Sequence, residues 1–394
     1  MLKPAQIEGI REAAGKIGED LSDALFSEVM KRLAQLDPKE IRTKRQLQQA
    51  VSRLLIDVRK GKAAAVKEAQ TDAKKLIKSA GKVSIIQDGG GEYQKECEEI
   101  IKTAQKEAVT ALEQIAAHAE YETDRLPWQL EEAFYRTAEK MVQETWDEEK
   151  SWYEAYKDGT KELISRGIVC IKRSPTKSKD ENGKEFEEPQ SPVSIEAATR
   201  QMLLSTLGTM QEKIEHEMAD LLGTDGWEIT AHACSAPDHE PIQGKQYSNE
   251  EYEQLNDSLV RRIGTLNCGH AAFPIMLGQP PQYTEEELQK FRDDNQKGVE
   301  INGTHYTGYE ATQKQREYER KIRRQKRKVL AAERSGDAAQ EQQARTKLRQ
   351  MQKEYRTFSK AAGLRQQDER TWIPEREVLE AERAAAFRKE VMGV

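Results

Sequence analysis

Cysteine, aromatic residues and long apolar runs are all scarce in this chain, and each scarcity removes a class of protein. Four cysteines, Cys97, Cys170, Cys234 and Cys268, are scattered over 394 residues without a C-x-x-C pair. That argues against a disulfide framework and for a reducing compartment. No stretch is apolar for the roughly 18 residues that a membrane-crossing helix needs. The N-terminal Met-Leu-Lys-Pro-Ala-Gln has no apolar core of a secretion signal. The expectation is a protein made and assembled in a cytoplasm, with no membrane partner. Aromatics make up 6% and hydrophobic residues 36%, against 34% charged residues and a mean hydropathy of -0.87. Such a composition suits long solvated helices with thin buried layers. A formal net charge of -6 excludes nucleic-acid binding by bulk charge and leaves room only for a local basic patch.

What is present is mostly helical periodicity. Ile10, Ala14, Ile17, Leu21, Leu25, Val29 and Leu33 recur at steps of three and four, one face of a helix. Asp37-Pro38 with Glu40 reads as a stop followed by a new N-cap. Leu47, Val51, Leu54 and Val58 continue the period, and Gly61 is expected to interrupt it. Gly89-Gly90-Gly91 is a firmer break. Cys97, Ile101, Ala104, Ala108, Leu112, Ile115 and Ala119 form a near-heptad seam, in which Cys97 is a small apolar residue. Pro127 ends that run and Phe134, Ala138 and Met141 restart it. Trp146, Trp152, Tyr153 and Tyr156 read as a packed aromatic helix end. Residues 167–172 look like a strand, followed by an exposed hairpin or loop around Asn182-Gly183. A helix from Ser194 to Leu222 should bury Met210, Ile214, Met218 and Leu221 and stop at Gly223.

The texture changes at Trp227. Trp227, Ile229 and Ala231 alternate, so a strand should deliver His232 to a loop, and Gly244 should turn the chain into a strand carrying Tyr247. Asn302-Gly303 between short extended runs predicts a two-residue hairpin. Helix resumes after Tyr309, and a turn at Ser335-Gly336-Asp337 leads to a second helix striped by Leu348, Met351, Tyr355 and Phe358 and closed by Gly363. The expected fold is therefore mainly α with a small α+β domain: long N-terminal helices, a compact mixed core and a C-terminal antiparallel helical hairpin. Four parts follow: an elongated helical region over 1–160, a strand, loop and helix over 161–225, the mixed core over 226–308, and a basic hairpin with a charged tail over 309–394.

Chemistry-bearing side chains concentrate in the mixed core. His232, Cys234, His239, Cys268 and His270 are all ligand types that zinc accepts. Their His-x-Cys and Cys-x-His spacings are not those of a zinc knuckle. The plainer expectation is that they hydrogen-bond to loop backbone and fill a small core. A metal-dependent hydrolase would need a metal cage and a general base, for which Asp238, Glu240, Asn267 and the histidines are the nearby material. Ser235 lacks the Gly-x-Ser-x-Gly elbow, and Gln243-Gly244-Lys245 lacks the rest of a phosphate loop. His118, His216 and His305 look incidental. The other constellation is a basic helix with Lys314, Arg316, Arg320, Lys321, Arg323, Arg324, Lys326, Arg327 and Lys328. It reads as a solvated hairpin face or as a contact for packaged DNA or an acidic partner.

The wording of three ordered blocks resembles the phage minor capsid protein 2 family, itself similar to the Mu-F-like head-morphogenesis proteins. The first is Ala231-His232-Ala233 with Pro237, His239, Gln243-Gly244-Lys245 and Tyr247. The second is Asn267-Cys268 with His270 and Phe273-Pro274. The third runs Tyr309-Glu310-Ala311-Thr312-Gln313-Lys314-Gln315-Arg316, then Glu319-Arg320 and Ile322-Arg323. Together with Gly363-Leu364 and Arg370 they span about 225–372. This chain departs from the family pattern where glycine usually stands at Cys234, arginine at Ala236 and Gly269, and tryptophan at Ile242. The resemblance implies a low-copy structural protein of a tailed-phage head, found in the virion and associated with the portal, other capsid proteins and packaged DNA. It implies no enzymatic activity and no cofactor. If a metal is bound, His232, His239, Cys268 and His270 are the better four, as a structural zinc site. The rival readings are a metal-dependent nuclease acting during packaging, or a DNA-binding virion protein ejected with the genome.

Overall fold

The computed structural model describes residues 4–36, 40–87, 94–121, 128–147, 150–166, 168–170, 176–179, 185–188, 193–259, 262–264, 269–335 and 338–373. The expected features at Asp37-Pro38, Gly89-Gly90-Gly91, Pro127, Asn182-Gly183, Gly336-Asp337 and Cys268 lie outside the described residues. Helices dominate, as expected. They are α1 (Pro4–Leu33), α2 (Lys44–Gln87), α3 (Gln94–Ala117), α4 (Leu130–Trp146) and α5 (Trp152–Arg166). Then come α6 (Ile195–Leu222), α7 (Asn249–Ser258), α8 (Glu285–Lys297), α9 (Gly308–Ser335) and α10 (Ala338–Ala361).

The N-terminal stripe behaves as its period predicts: Ala14, Leu21, Leu25, Val29 and Leu33 are buried. They meet α2 and α6, while α3 packs on both of those helices. Gly61 does not interrupt α2. It lies within an unbroken helix, where the Glu28 side chain of α1 covers the space a Cβ would take. Cys97 is buried in the α3 seam. Trp146 Nε1 donates to the Ile41 carbonyl at 2.7 Å and Tyr156 is fully buried, so these two aromatics are packed, while the side chains of Trp152 and Tyr153 lie outside the described residues.

α6 is the spine of the molecule. Ser194 caps it by accepting from Ala197 N–H, and Gly223 closes it in the left-handed conformation. Its Leu203, Met210 and Ile214 belong to the main helical core, and Ala219 to the small core beyond. Leu221 is not part of the buried stripe. It is 54% exposed, because by that turn the helix has left the body that covered it. The hairpin of α9 and α10 lies against the helical body through α5, and Leu330 and Ala331 join the main core.

Four small antiparallel sheets complete the described fold. β1 (Ala119–Tyr121), β2 (Trp128–Gln129), β3 (Ile168–Cys170) and β6 (Val193–Ser194) form one, in the order β2-β1-β3-β6. β4 (Thr176–Lys179) pairs with β5 (Glu185–Glu188). β7 (Gly226–Ile229) is central between β8 (Gln246–Ser248) and β9 (Ala272–Ile275). β10 (Val299–Ile301) and β11 (Thr304–Tyr306) make the expected hairpin, with Asn302 and Gly303 both at positive φ.

Candidate functional site

The mixed core is built around β7. Trp227 stands opposite Tyr247 on one side and Pro274 on the other. Its indole stacks on Tyr252 at 5.1 Å and takes the edge of His216 at 4.4 Å. His216 is therefore not incidental. Its Nε2 lies 2.9 Å from Glu253 Oε1, so it ties α6 to α7 beside the sheet. Its spacing in the sequence carried no sign of that partner, because the contact comes from an element 37 residues away (Glu253 against His216).

β7 ends at Ile229, whose carbonyl accepts from Gly244 N–H at 2.7 Å, and the chain passes His232 into the loop as expected. A helical turn follows. Gln243 N–H donates to the His239 carbonyl at 3.1 Å, which places those two side chains on one side. Gln243 Oε1 then accepts the backbone N–H of His232 at 3.1 Å and faces His270 Nε2 at 3.1 Å. The backbone donor identifies Oε1 as the oxygen, so His270 Nε2 must carry a proton. Ser235 Oγ, 3.3 Å from the same nitrogen, meets a donor and gains no base. This excludes activation of Ser235 through that nitrogen.

His232 has the opposite polarity. Its Nδ1 lies 2.8 Å from the Ala233 carbonyl and must donate, which leaves Nε2 unprotonated. That nitrogen is buried and has no hydrogen-bond partner among the described residues. Burial, with weaker repulsion from Arg11 and His239, pushes the His232 pKa below its ordinary 6.5 despite the opposing Ala233 contact. The unfolded chain therefore takes up this proton first as the pH falls through 6.5. Stability is lost on acidification and is unaffected by this group well above 6.5. His232→Asn keeps a donor for Ala233 and removes the titration. Its melting temperature is expected to fall less steeply than that of the parent between pH 7 and pH 5. Parallel slopes in thermal melts would assign the pH dependence to another group.

Three of the four proposed zinc ligands do gather. The His232 and His270 rings are 4.2 Å apart and those of His239 and His270 5.3 Å. The fourth, Cys268, is outside the described residues. Among the described residues, no group of three histidine, cysteine, aspartate or glutamate side chains is arranged to hold a metal ion. The proton on His270 Nε2 would leave only Nδ1 for a metal. Cys234 sits at φ 62°, the conformation that favours glycine, which gives a physical reason for a family preference for glycine there. Burial, with the Asp294 charge, holds its thiol above the usual pKa, so it is a poor thiolate ligand.

The basic helix is divided by its surroundings. Arg320, Lys321, Arg324 and Lys328 are exposed, while Lys314, Arg316, Arg323 and Lys326 are half-buried. Lys314 and Lys321 flank Glu317 at 2.8 and 2.5 Å and hold its carboxyl down to about 2. Lys326 Nζ reaches Thr371 Oγ1 at 3.4 Å. Arg327 is 8% exposed and faces the buried Glu196 at 3.7 Å, which takes it out of any outward-facing stripe.

No curated protein and no solved structure matches this chain. A family model described as phage minor capsid protein 2 matches residues 2–360. That match takes in the helical body, the histidine-bearing core and nearly all of the basic hairpin. The chain belongs to the phage minor capsid protein 2 family.

Proposed function

We propose that this protein is a low-copy head component that joins the capsid beside the portal, in the host cytoplasm, and contacts packaged DNA through the exposed flank of α9. Family membership makes it a structural component of the phage head and so of the virion. The observation that supports the DNA contact is the stripe of Arg320, Lys321, Arg324 and Lys328. It sets outward-facing cations on successive turns of one helix in a chain of net charge -6. Such a stripe binds phosphates by releasing counterions, without reading sequence. The protein acts by binding and we assign it no reaction. The buried Ser235, Gln243 and His270 contacts are those of a packed core, which favours this reading over a nuclease. Among the described residues no helix is long and apolar enough to cross a membrane, and no membrane partner is proposed.

Quantitative mass spectrometry of purified heads, combined with cross-linking, tests the assembly role. A few copies per head cross-linked to the portal are expected, and absence of the chain from heads would sink the reading. For the DNA contact, the triple variant Lys321→Glu, Arg324→Glu, Lys328→Glu should lower the salt dependence of binding. The slope of log K against log salt is expected to shrink by about 2–3. An unchanged slope removes this flank as the contact.

A further inference from the structure

An adjoining face of α9 borders a cleft of about 570 Å³ between α1, α6, α9 and the segment 365–372. Eight cationic side chains and four glutamates line it, with Trp372 among them. The glutamates are already engaged. Glu12 holds Arg365 at 3.1 Å, and Glu19 lies within electrostatic reach of Lys16. Glu196 accepts from Ser22 Oγ at 3.0 Å and faces Arg327. Glu319 accepts from Tyr355 at 3.3 Å and lies 3.8 Å from Arg370. Arg200 and Arg316 are half-buried in this cleft, and neither makes an ion pair or hydrogen bond among the described residues. Burial and the charges of Arg370, Arg316 and Arg11 push Arg200 down to about 10 against the opposing charge of Glu319. Glu319 attracts both Arg200 and Arg316, but it is one carboxylate shared among Arg200, Arg316, Arg323 and Arg370, so the cluster stays partly desolvated and short of negative charge.

We propose that this cleft is a phosphate-binding site, with Arg200 and Arg316 as its principal ligands. Guanidinium forks from α6 and α9 converge on one space, and a planar fork matches two oxygens of a phosphate group. A multivalent anion relieves mutual repulsion among several arginines better than a single carboxylate does. Arg200 and Arg316 are half-buried behind the exposed Arg320 and Arg365, so the group that reaches them is a small ion or part of a strand that can enter, and not the outside of a duplex. Trp372 offers such a strand a stacking plane. The cleft shares Arg320 with the outward flank of α9, but Lys321, Arg324 and Lys328 do not line it, so a variant at those three tests the flank alone.

The test is calorimetric titration of the full-length protein at constant ionic strength with pyrophosphate, a short thymidine oligonucleotide and a polyglutamate peptide. Arg200→Gln, Arg316→Gln and the triple flank variant are compared with the parent. Pyrophosphate or the oligonucleotide should bind the parent, and each single variant should weaken it by about tenfold or more. The triple variant should leave pyrophosphate binding unchanged. Pyrophosphate binding identifies a site for free phosphate, and binding of the oligonucleotide alone identifies backbone phosphate as the source. Arg200→Gln should also melt no lower than the parent in chloride, since it removes a repelled charge. A lower melting temperature there would mean that Arg200 is structural and would overturn the assignment. So would binding of polyglutamate alone, no binding beyond chloride, or an affinity in both single variants equal to that of the parent.

Discussion

Arg327→Ala should destabilise the protein by about 3–5 kcal/mol, the usual consequence of leaving one member of a buried ion pair alone. Glu196 is 6% exposed and its carboxylate has Ser22 and Arg327 as partners, with Oε2 left without a hydrogen bond among the described residues. Its place in the first turn of α6 adds some favourable field, worth about 1 kcal/mol at most sites, which is too little to replace the arginine. The loss would be felt where α1, α6 and α9 meet. A side chain in place of Gly18 would come within 2.7 Å of the Glu196 carbonyl, so α1 is already as close as backbone allows. The paired change Arg327→Met with Glu196→Gln should recover most of the loss, because it removes both charges. The midpoint of chemical denaturation measures both. A single variant within about 1 kcal/mol of the parent would show that the pair is solvated and contributes as little as a surface bridge.

Gly208→Ala should destabilise by about 2 kcal/mol, against the direction that helix propensity predicts. Gly208 lies inside α6, where alanine alone would favour the helix by about 1 kcal/mol. A Cβ there would overlap the carbonyl oxygen of Gly264, in the loop that carries Ile263 into the small core. The obstacle is backbone, so no rotamer relieves it. Overpacking of this kind costs about 3 kcal/mol at the upper end of its range, which outweighs the propensity gain. Hydrogen exchange should show the loss in the mixed core around Trp227 and Ile263 and much less in α1 and α2. A variant more stable than the parent would mean that the loop moves aside freely.

Helical organisation was readable because buried positions recur at the helical period. The stripe of Leu21, Leu25, Val29 and Leu33 needed only that rule, and all four are buried. The stop at Gly223 and the Asn302-Gly303 hairpin were readable because they depend on one or two residues and their own backbone. Gly61 was misread for the same reason. Local rules treat glycine as a break, whereas here the helix runs on and the Glu28 side chain of the neighbouring helix covers the space a Cβ would take. Leu221 was misread because amphipathic period does not say where a covering body ends.

The histidines divide along the same line. Sequence placed His232, His239 and His270 in one segment and offered either zinc or a packed core. Which nitrogen carries a proton depends on Gln243 and on the backbone of His232 and Ala233, so only the fold assigns it. His216 gave no signal at all, since Trp227 and Glu253 reach it from other elements.

By itself, then, the sequence determined the helical class, the small mixed core, the stop at Gly223, the hairpin, and the resemblance to a head-protein family. These follow from residue order, local conformational preference and motif spacing. Tertiary structure alone decided which of the nine cations on α9 face water, which one is buried against Glu196, and which join Arg200 in a cleft. A charge run in sequence has no inside or outside. It acquires them only when α5 and α10 pack on the helix and Glu196 of α6 reaches Arg327, which changes the solvation of each cation separately.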